Sequence, residues 1–307
     1  MKSLFTNLLL ISFAFGVSSC SSNTDENNSQ ESVEVVAEEL VEETTNDNVF
    51  YQMPTPNELF AVLKNNDAPF NKEILNDVSN TENYLTKSSK ALNFGVFTAD
   101  LAYATSQGSF EDASSLFGVV KSLSKDLEIE NAIDQVIFER LKENLDNSNA
   151  DSLFYLSNET YYSAFSYLEE NDRKDVLAMI AVGGWIEGLN IILNLEPYSE
   201  DSEICQRIAD QKLTLENLLN FVSDIENDKL TDLLIDLVNI EEIFNQDSQD
   251  SNNEIEVVSS TTEVVNSTNE DGIMVFGGGN SVTLSNSQFD QLKSTVMDLR
   301  TSIVEEN

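Results

Sequence analysis

Two acidic residues stand where carboxylates are usually absent. Asp100 is the only charged residue between Lys90 and Glu111, and Glu187 is alone in the apolar run from Leu177 to Leu193. A carboxylate on the apolar side of a helix must be paired, hydrogen-bonded or protonated, so the two acids have three candidate roles. Each can accept hydrogen bonds from a tyrosine, asparagine or arginine inside the core. Together they can line a small-ligand or cation site, with Asn93 and Asn190 as further oxygen donors. Or they can form a catalytic pair in which one carboxyl stays un-ionised for acid work. Spacing along one chain does not decide whether the acids meet. A separation above about 12 Å would end the catalytic-pair idea, because even inverting glycosidase carboxylates lie within roughly 10 Å.

The rest of the inventory narrows the chemistry. Lys and Arg number 16 against 55 Asp and Glu, a formal net charge of −39 over 307 residues with no histidine. Without histidine the chain lacks the commonest general base, metal ligand and triad member. Phosphate backbones and anionic lipid headgroups are repelled by such a surface, which excludes a nucleic-acid partner. Two cysteines, Cys20 and Cys205, supply neither a thiolate zinc site nor a disulfide framework. No cofactor is expected. Cys205, at helical spacing from Ile208 and Leu213, reads as a small buried hydrophobe on an apolar face. Tyr155, Tyr161, Tyr162, Phe165 and Tyr167 crowd one helix and read as a core stripe, as does Trp185.

The elements that must carry these residues are helices. Capping boxes at Thr55-Pro56-Asn57-Glu58 and Ser79-Asn80-Thr81-Glu82 open helices over about 55–65 and 79–108. Apolar spacing near 3.6 residues predicts further helices at about 109–127, 130–146, 150–170, 173–195, 202–226 and 228–246. Short connections between them make an all-α, antiparallel multi-helix bundle, with a helical solenoid as the alternative. Asp100 and Glu187 fall on two helices that read as central. Ala91, Gly95 and Ala99 on one, and Ala181, Gly184 and Gly188 on the other, form small-residue strips that let backbones approach closely.

Beyond the 51–246 helical domain, residues 247–272 form an acidic polar linker. Ile273–Phe276 and Ser281–Leu284, on either side of Gly277-Gly278-Gly279-Asn280, predict a small β-hairpin. A final helix over about 286–305 follows, started by Ser285 and Gln288, with Phe289, Leu292, Val296, Leu299 and Ile303 as its apolar stripe.

The N-terminus carries an address. Residues 1–19 have a basic start at Lys2 and an apolar stretch too short for a convincing span, the pattern of an export signal. Val17-Ser18-Ser19-Cys20 resembles the lipobox of bacterial lipoproteins, which implies that Cys20 is acylated, becomes the N-terminus and ties the chain to a membrane. Residues 21–50 contain nine acids and no base, the composition of an extended solvated tether. Asp25 and Glu26 resemble the acidic export signal that sends some Bacteroidetes lipoproteins to the cell surface.

FGVFTADLAYATSQG (94–108), GGWIEGLNIILNL (183–195) and FDQLKSTVMDLRTSIV (289–304), together with the lipobox, resemble an all-helical lipoprotein family of Bacteroidetes. The resemblance implies a helical lipoprotein at the outer membrane, on its periplasmic face or the cell surface, and brings no catalytic residues with it. The expected role is a non-catalytic binding or scaffolding module held to the membrane by the lipid on Cys20 and meeting an envelope protein. The competing role is a small-ligand or cation receptor, or an enzyme, working through Asp100 and Glu187. The tether and residues 241–272 each hold nine acids and no base, so the helical part is only moderately acidic.

Overall fold

Thr86 starts the central helix. Its hydroxyl accepts from Ser89 N–H at 2.9 Å while Ser89 Oγ accepts from Thr86 N–H at 3.2 Å, a reciprocal capping box. The computed structural model describes residues 59–60, 62–65, 69–131, 135–246, 266–268, 274–276 and 283–305. The export signal, Cys20, the tether, the capping box at Thr55 and nearly all of the 247–272 linker lie outside these residues.

The described chain is all-helical apart from one three-residue strand pair. From Thr86 the helices are α1 (Lys87–Ser106), α2 (Phe110–Asp126), α3 (Gln135–Asp146), α4 (Ala150–Glu170), α5 (Lys174–Leu195), α6 (Glu203–Ser223), α7 (Asp228–Phe244) and α8 (Asn286–Glu305). Helical 3-10 turns at Val62–Asn65, Lys72–Ile74 and Val78–Asn83 precede them. The second expected capping box is therefore corrected. Asp77, not Ser79, caps the Val78–Asn83 turn through Ser79 N–H, Tyr84 takes an extended backbone, and the helix begins only at Lys87.

The first four helix junctions share one device. Gly108, Glu128, Ser148 and Asp172 each stand two residues past a helix end with φ between 55° and 68°. At each the next N–H returns to a carbonyl five residues back: Ser109 to Ala104, Ile129 to Ser124, Asn149 to Asn144 and Arg173 to Leu168, at 2.8–2.9 Å. This is the Schellman closure, which satisfies the last carbonyls and reverses the chain abruptly. Three intervening reversals and a fourth bring α5 back parallel to α1. Leu92 accordingly lies against Gly183 and Asp100 against Glu187, both positions advancing together.

The core forms around that pair. Every residue from Val176 to Leu193 is buried, and α8 packs on both α5 and α1. By length and composition α5 could cross a membrane, but its apolar stretch is wholly buried in the protein, as a central core helix would be. Phe165 and Trp185 are core residues at 2% exposure, whereas Tyr162 reaches the surface at 36%. Cys205 is buried as expected, but Leu213 is 50% exposed. At 100° per residue Leu213 lies about 140° round the helix from Ile208, off the apolar face.

The small-residue strips are partly redrawn. Gly95 does meet α5, against Ile180 and Gly184, but the other close approach comes from Gly183 against Leu92, and Gly188 faces Leu59 and Phe60 instead. In contrast Gly118, exposed in the middle of α2, has open space where a Cβ would stand. Gly118→Ala should raise stability by about 0.5–1 kcal/mol, read as a higher urea midpoint at unchanged slope, by lowering the entropy of the unfolded chain.

The hairpin expected across Gly277–Gly279 is not seen. Thr283 and Leu284 form no strand, and Met274–Phe276 (β2) pairs antiparallel with Asn266–Thr268 (β1), Ser267 opposite Val275. The connection between the paired strands contains Asp271-Gly272, a strong reversal signal, whereas three glycines lose the most conformational entropy on being fixed.

The start of α8 is as expected. Ser285 N–H donates to Gln288 Oε1 at 2.9 Å, Gln288 N–H donates back to Ser285 Oγ at 3.3 Å, and Leu284 and Phe289 are both buried beside it.

Candidate site: a buried carboxyl pair closed by an arginine

The fold brings Asp100 and Glu187 together. Asp100 comes from the last third of α1 and Glu187 from the same level of parallel α5, and both are 0% exposed. From α8, Arg300 reaches in with a two-pronged grip: Nε donates to Glu187 Oε2 at 2.8 Å and Nη2 to Glu187 Oε1 at 3.2 Å. This fork-to-fork geometry is the strongest form of the ion pair, and only the planar guanidinium provides it. Nη2 also lies 3.5 Å from the Ile74 carbonyl.

Asp100 has a different set of neighbours. Its Oδ2 accepts from Asn76 N–H at 3.1 Å, and its Oδ1 has no N–H donor in reach. Glu187 is the like-charged neighbour that acts on Asp100. A buried carboxyl oxygen with no donor favours the un-ionised form, and Oδ1 is the atom without a partner. Burial pushes the Asp100 pKa well above its ordinary value, and the charge of Glu187 adds to the rise; Arg300 and Asn76 pull back less strongly. Arg300 is also partly buried, which alone would lower its pKa, but Glu187 and Asp100 outweigh that and hold it charged. One protonated acid, one carboxylate and one guanidinium sum to zero, the balance a dry interior favours.

A polar shell completes the cluster. Asn76 is buried and donates through Nδ2 to Tyr84 Oη at 2.9 Å and to Asn93 Oδ1 at 3.4 Å. Asn93 Nδ2 donates in turn to the Ser89 and Ile303 carbonyls, at 2.9 and 3.0 Å, which ties α1 to the end of α8. Burial raises the Tyr84 phenol, with Asn76 and Arg300 opposing.

Of the four residues singled out as possible ligand donors, Asp100, Glu187 and Asn93 converge. Asn190 does not: its Oδ1 and carbonyl both accept from Asn194 Nδ2, at 3.1 and 2.8 Å, one turn further along α5. Among the described residues no three Asp, Glu or Cys side chains gather as a metal ion would need. Sequence reasoning missed Arg300, Asn76 and Tyr84. A signal for Arg300 existed, since it sits four residues after Val296 and three before Ile303 on the apolar stripe of α8.

The arrangement suits cohesion better than turnover. Both acids are sealed from solvent, and the oxygens of Glu187 are occupied by Arg300. Compared with family models, curated proteins and solved structures, the chain gives no match.

Proposed function

We propose that this chain is a lipid-anchored protein of the cell envelope, held to the outer membrane through Cys20, and that its helical domain is a non-catalytic binding or scaffolding module. The observation that carries the non-catalytic part is the closure of the acid pair: Asp100 and Glu187 are both 0% exposed, and Arg300 engages both oxygens of Glu187. A ligand or substrate would have to displace a bidentate buried ion pair to reach them. Within this reading the domain is a bundle rather than a solenoid. Stacked repeats touch mainly their neighbours in sequence, whereas here α1 packs chiefly on α5, and α8 on α5. The lipobox at Val17–Cys20 and the acidic tether support the anchoring, and the envelope partner would meet the outward faces of the helices.

Anchoring is tested by metabolic labelling with palmitate. The wild type takes up label and Cys20→Ala does not; equal labelling of the two removes the lipid anchor from the proposal. Partner capture tests the rest. Pull-down of the tagged, lipidated protein from its own envelope should recover the same partner with Asp100→Asn and Glu187→Gln at temperatures where both variants stay folded. Loss of the partner in a fully folded variant would return the acids to a functional role.

A further inference from the structure

We infer that Asp100, Glu187 and Arg300 form a proton-held latch for the C-terminal half of α8. With a proton on Asp100 the cluster is neutral and α8 is seated. Loss of that proton leaves two carboxylates facing one guanidinium in a sealed interior and releases the end of the helix.

The geometry divides α8 into two halves held by different means. Its N-terminal end is held by the buried Phe289 and Leu292 and by polar contacts that are all neutral: Gln288 Nε2 donates to the Ile243 and Gln246 carbonyls at 3.0 and 3.1 Å, and Tyr198 Oη donates to the Leu284 carbonyl at 2.8 Å. None of these groups changes charge when Asp100 loses its proton. The C-terminal half buries Val296, Leu299, Ile303 and Val304, and its polar contacts to the core are the charged Arg300 and the bond from Asn93 to the Ile303 carbonyl. The groups facing Asp100 are Glu187 from α5, Arg300 from α8 and Tyr84 from the segment ahead of α1, with Asn76 contributing a neutral N–H. Arg300 stays protonated across the accessible range, and Glu187 already accepts both of its bonds. Asp100 is therefore the member whose proton decides the charge of the cluster.

The sign follows from linkage. The folded state keeps a proton on Asp100 at pH values where the unfolded chain has released it, so the seated state is fully favoured only at or below the ordinary carboxylate range. As pH rises above that range the seated state weakens, by up to tenfold per pH unit, and the effect levels off once Asp100 ionises in the folded protein.

Hydrogen exchange read by mass spectrometry on the full chain tests the latch. In the wild type, peptides covering 296–305 should open up to tenfold more for each added pH unit after correction for intrinsic exchange, while peptides covering 284–291 follow no such slope. Asp100→Asn, neutral at every pH and of the same shape, should flatten the 296–305 slope. Equal slopes in Asp100→Asn and wild type, or no difference between the two halves of α8 in the wild type, would overturn the proposal. A second measurement does not depend on that variant folding. The infrared carbonyl band of a buried un-ionised carboxylic acid should persist in the wild type above the ordinary carboxylate range and should fade only where the 296–305 slope levels off. Loss of the band within the ordinary carboxylate range would overturn the latch on its own.

Discussion

Arg300→Met should cost the protein about 3–5 kcal/mol in urea unfolding, the loss associated with stripping one partner from a buried ion pair. The side chain itself is of similar length and apolar character, so packing is largely kept and the loss reports the charge. Glu187, 0% exposed, would be left ionised without a cation or forced to take up a proton, and either outcome is unfavourable in that interior. Arg300→Lys should fall between wild type and Arg300→Met, because an ammonium keeps the charge but cannot donate along both the Nε and Nη2 directions. The companion variant is Glu187→Leu with Arg300→Met, which removes both charges and should recover much of the loss. If Arg300→Met cost less than about 1 kcal/mol, the pair would be a surface-like contact and the structural reading of the cluster would fail.

Gly183→Ala and Gly95→Ala should be at least as damaging as the loss of the arginine, at about 3 kcal/mol or more. A Cβ on Gly183 would meet the Leu92 carbonyl, and one on Gly95 the Ile180 carbonyl, each closer than any real Cβ contact. The obstacle in both cases is backbone, which cannot rotate aside, so α1 and α5 would have to move apart along their whole contact. Overpacking of this kind separates every side chain in the interface. Gly188→Ala is the control. Its Cβ would meet Leu59 Cδ1 at 2.8 Å, the end of a flexible side chain, and the expected loss is smaller. Thermal melts of the three variants side by side would separate the two cases, and equal losses at Gly183 and Gly188 would show that the α1–α5 spacing is not limiting.

Much of this was legible before any coordinates. The isolation of Asp100 and Glu187 among apolar residues marked them as buried, and burial alone implied a partner or a proton; the structure gives Glu187 its partner in Arg300 and leaves Asp100 Oδ1 without one. The small residues of α1 and α5 announced a close approach. What could not be read was which small residue does the work, since Gly183 and Gly184 differ by one position and about 100° of helix rotation. Arg300 escaped because a long basic side chain beside an apolar stripe ordinarily runs its stem over the core and sends its charge to water. Asn76 lies in a non-periodic segment between two 3-10 turns, where no face is defined by spacing. The helix start at Thr86 was obscured by a local competition: Asp77 captures Ser79 N–H before the Ser79 box can form. For the hairpin the sequence offers two turn signals, Asp271-Gly272 and the glycine run after it, and spacing alone does not choose between them.

The parallel pairing of α1 with α5 also sets the order in which this chain can fold. Its two central helices are separated by three others, the arginine that neutralises Glu187 lies 113 residues beyond it, and Asn93 waits 210 residues for the Ile303 carbonyl. Contacts this distant close slowly, because a long loop must be ordered before they contribute. During synthesis α1 emerges with its Gly95 face bare, and even after α5 arrives the acids have no cation until residue 300 is made. A chain stopped before Arg300 would thus expose its most apolar helix, the state that chaperones and proteases recognise.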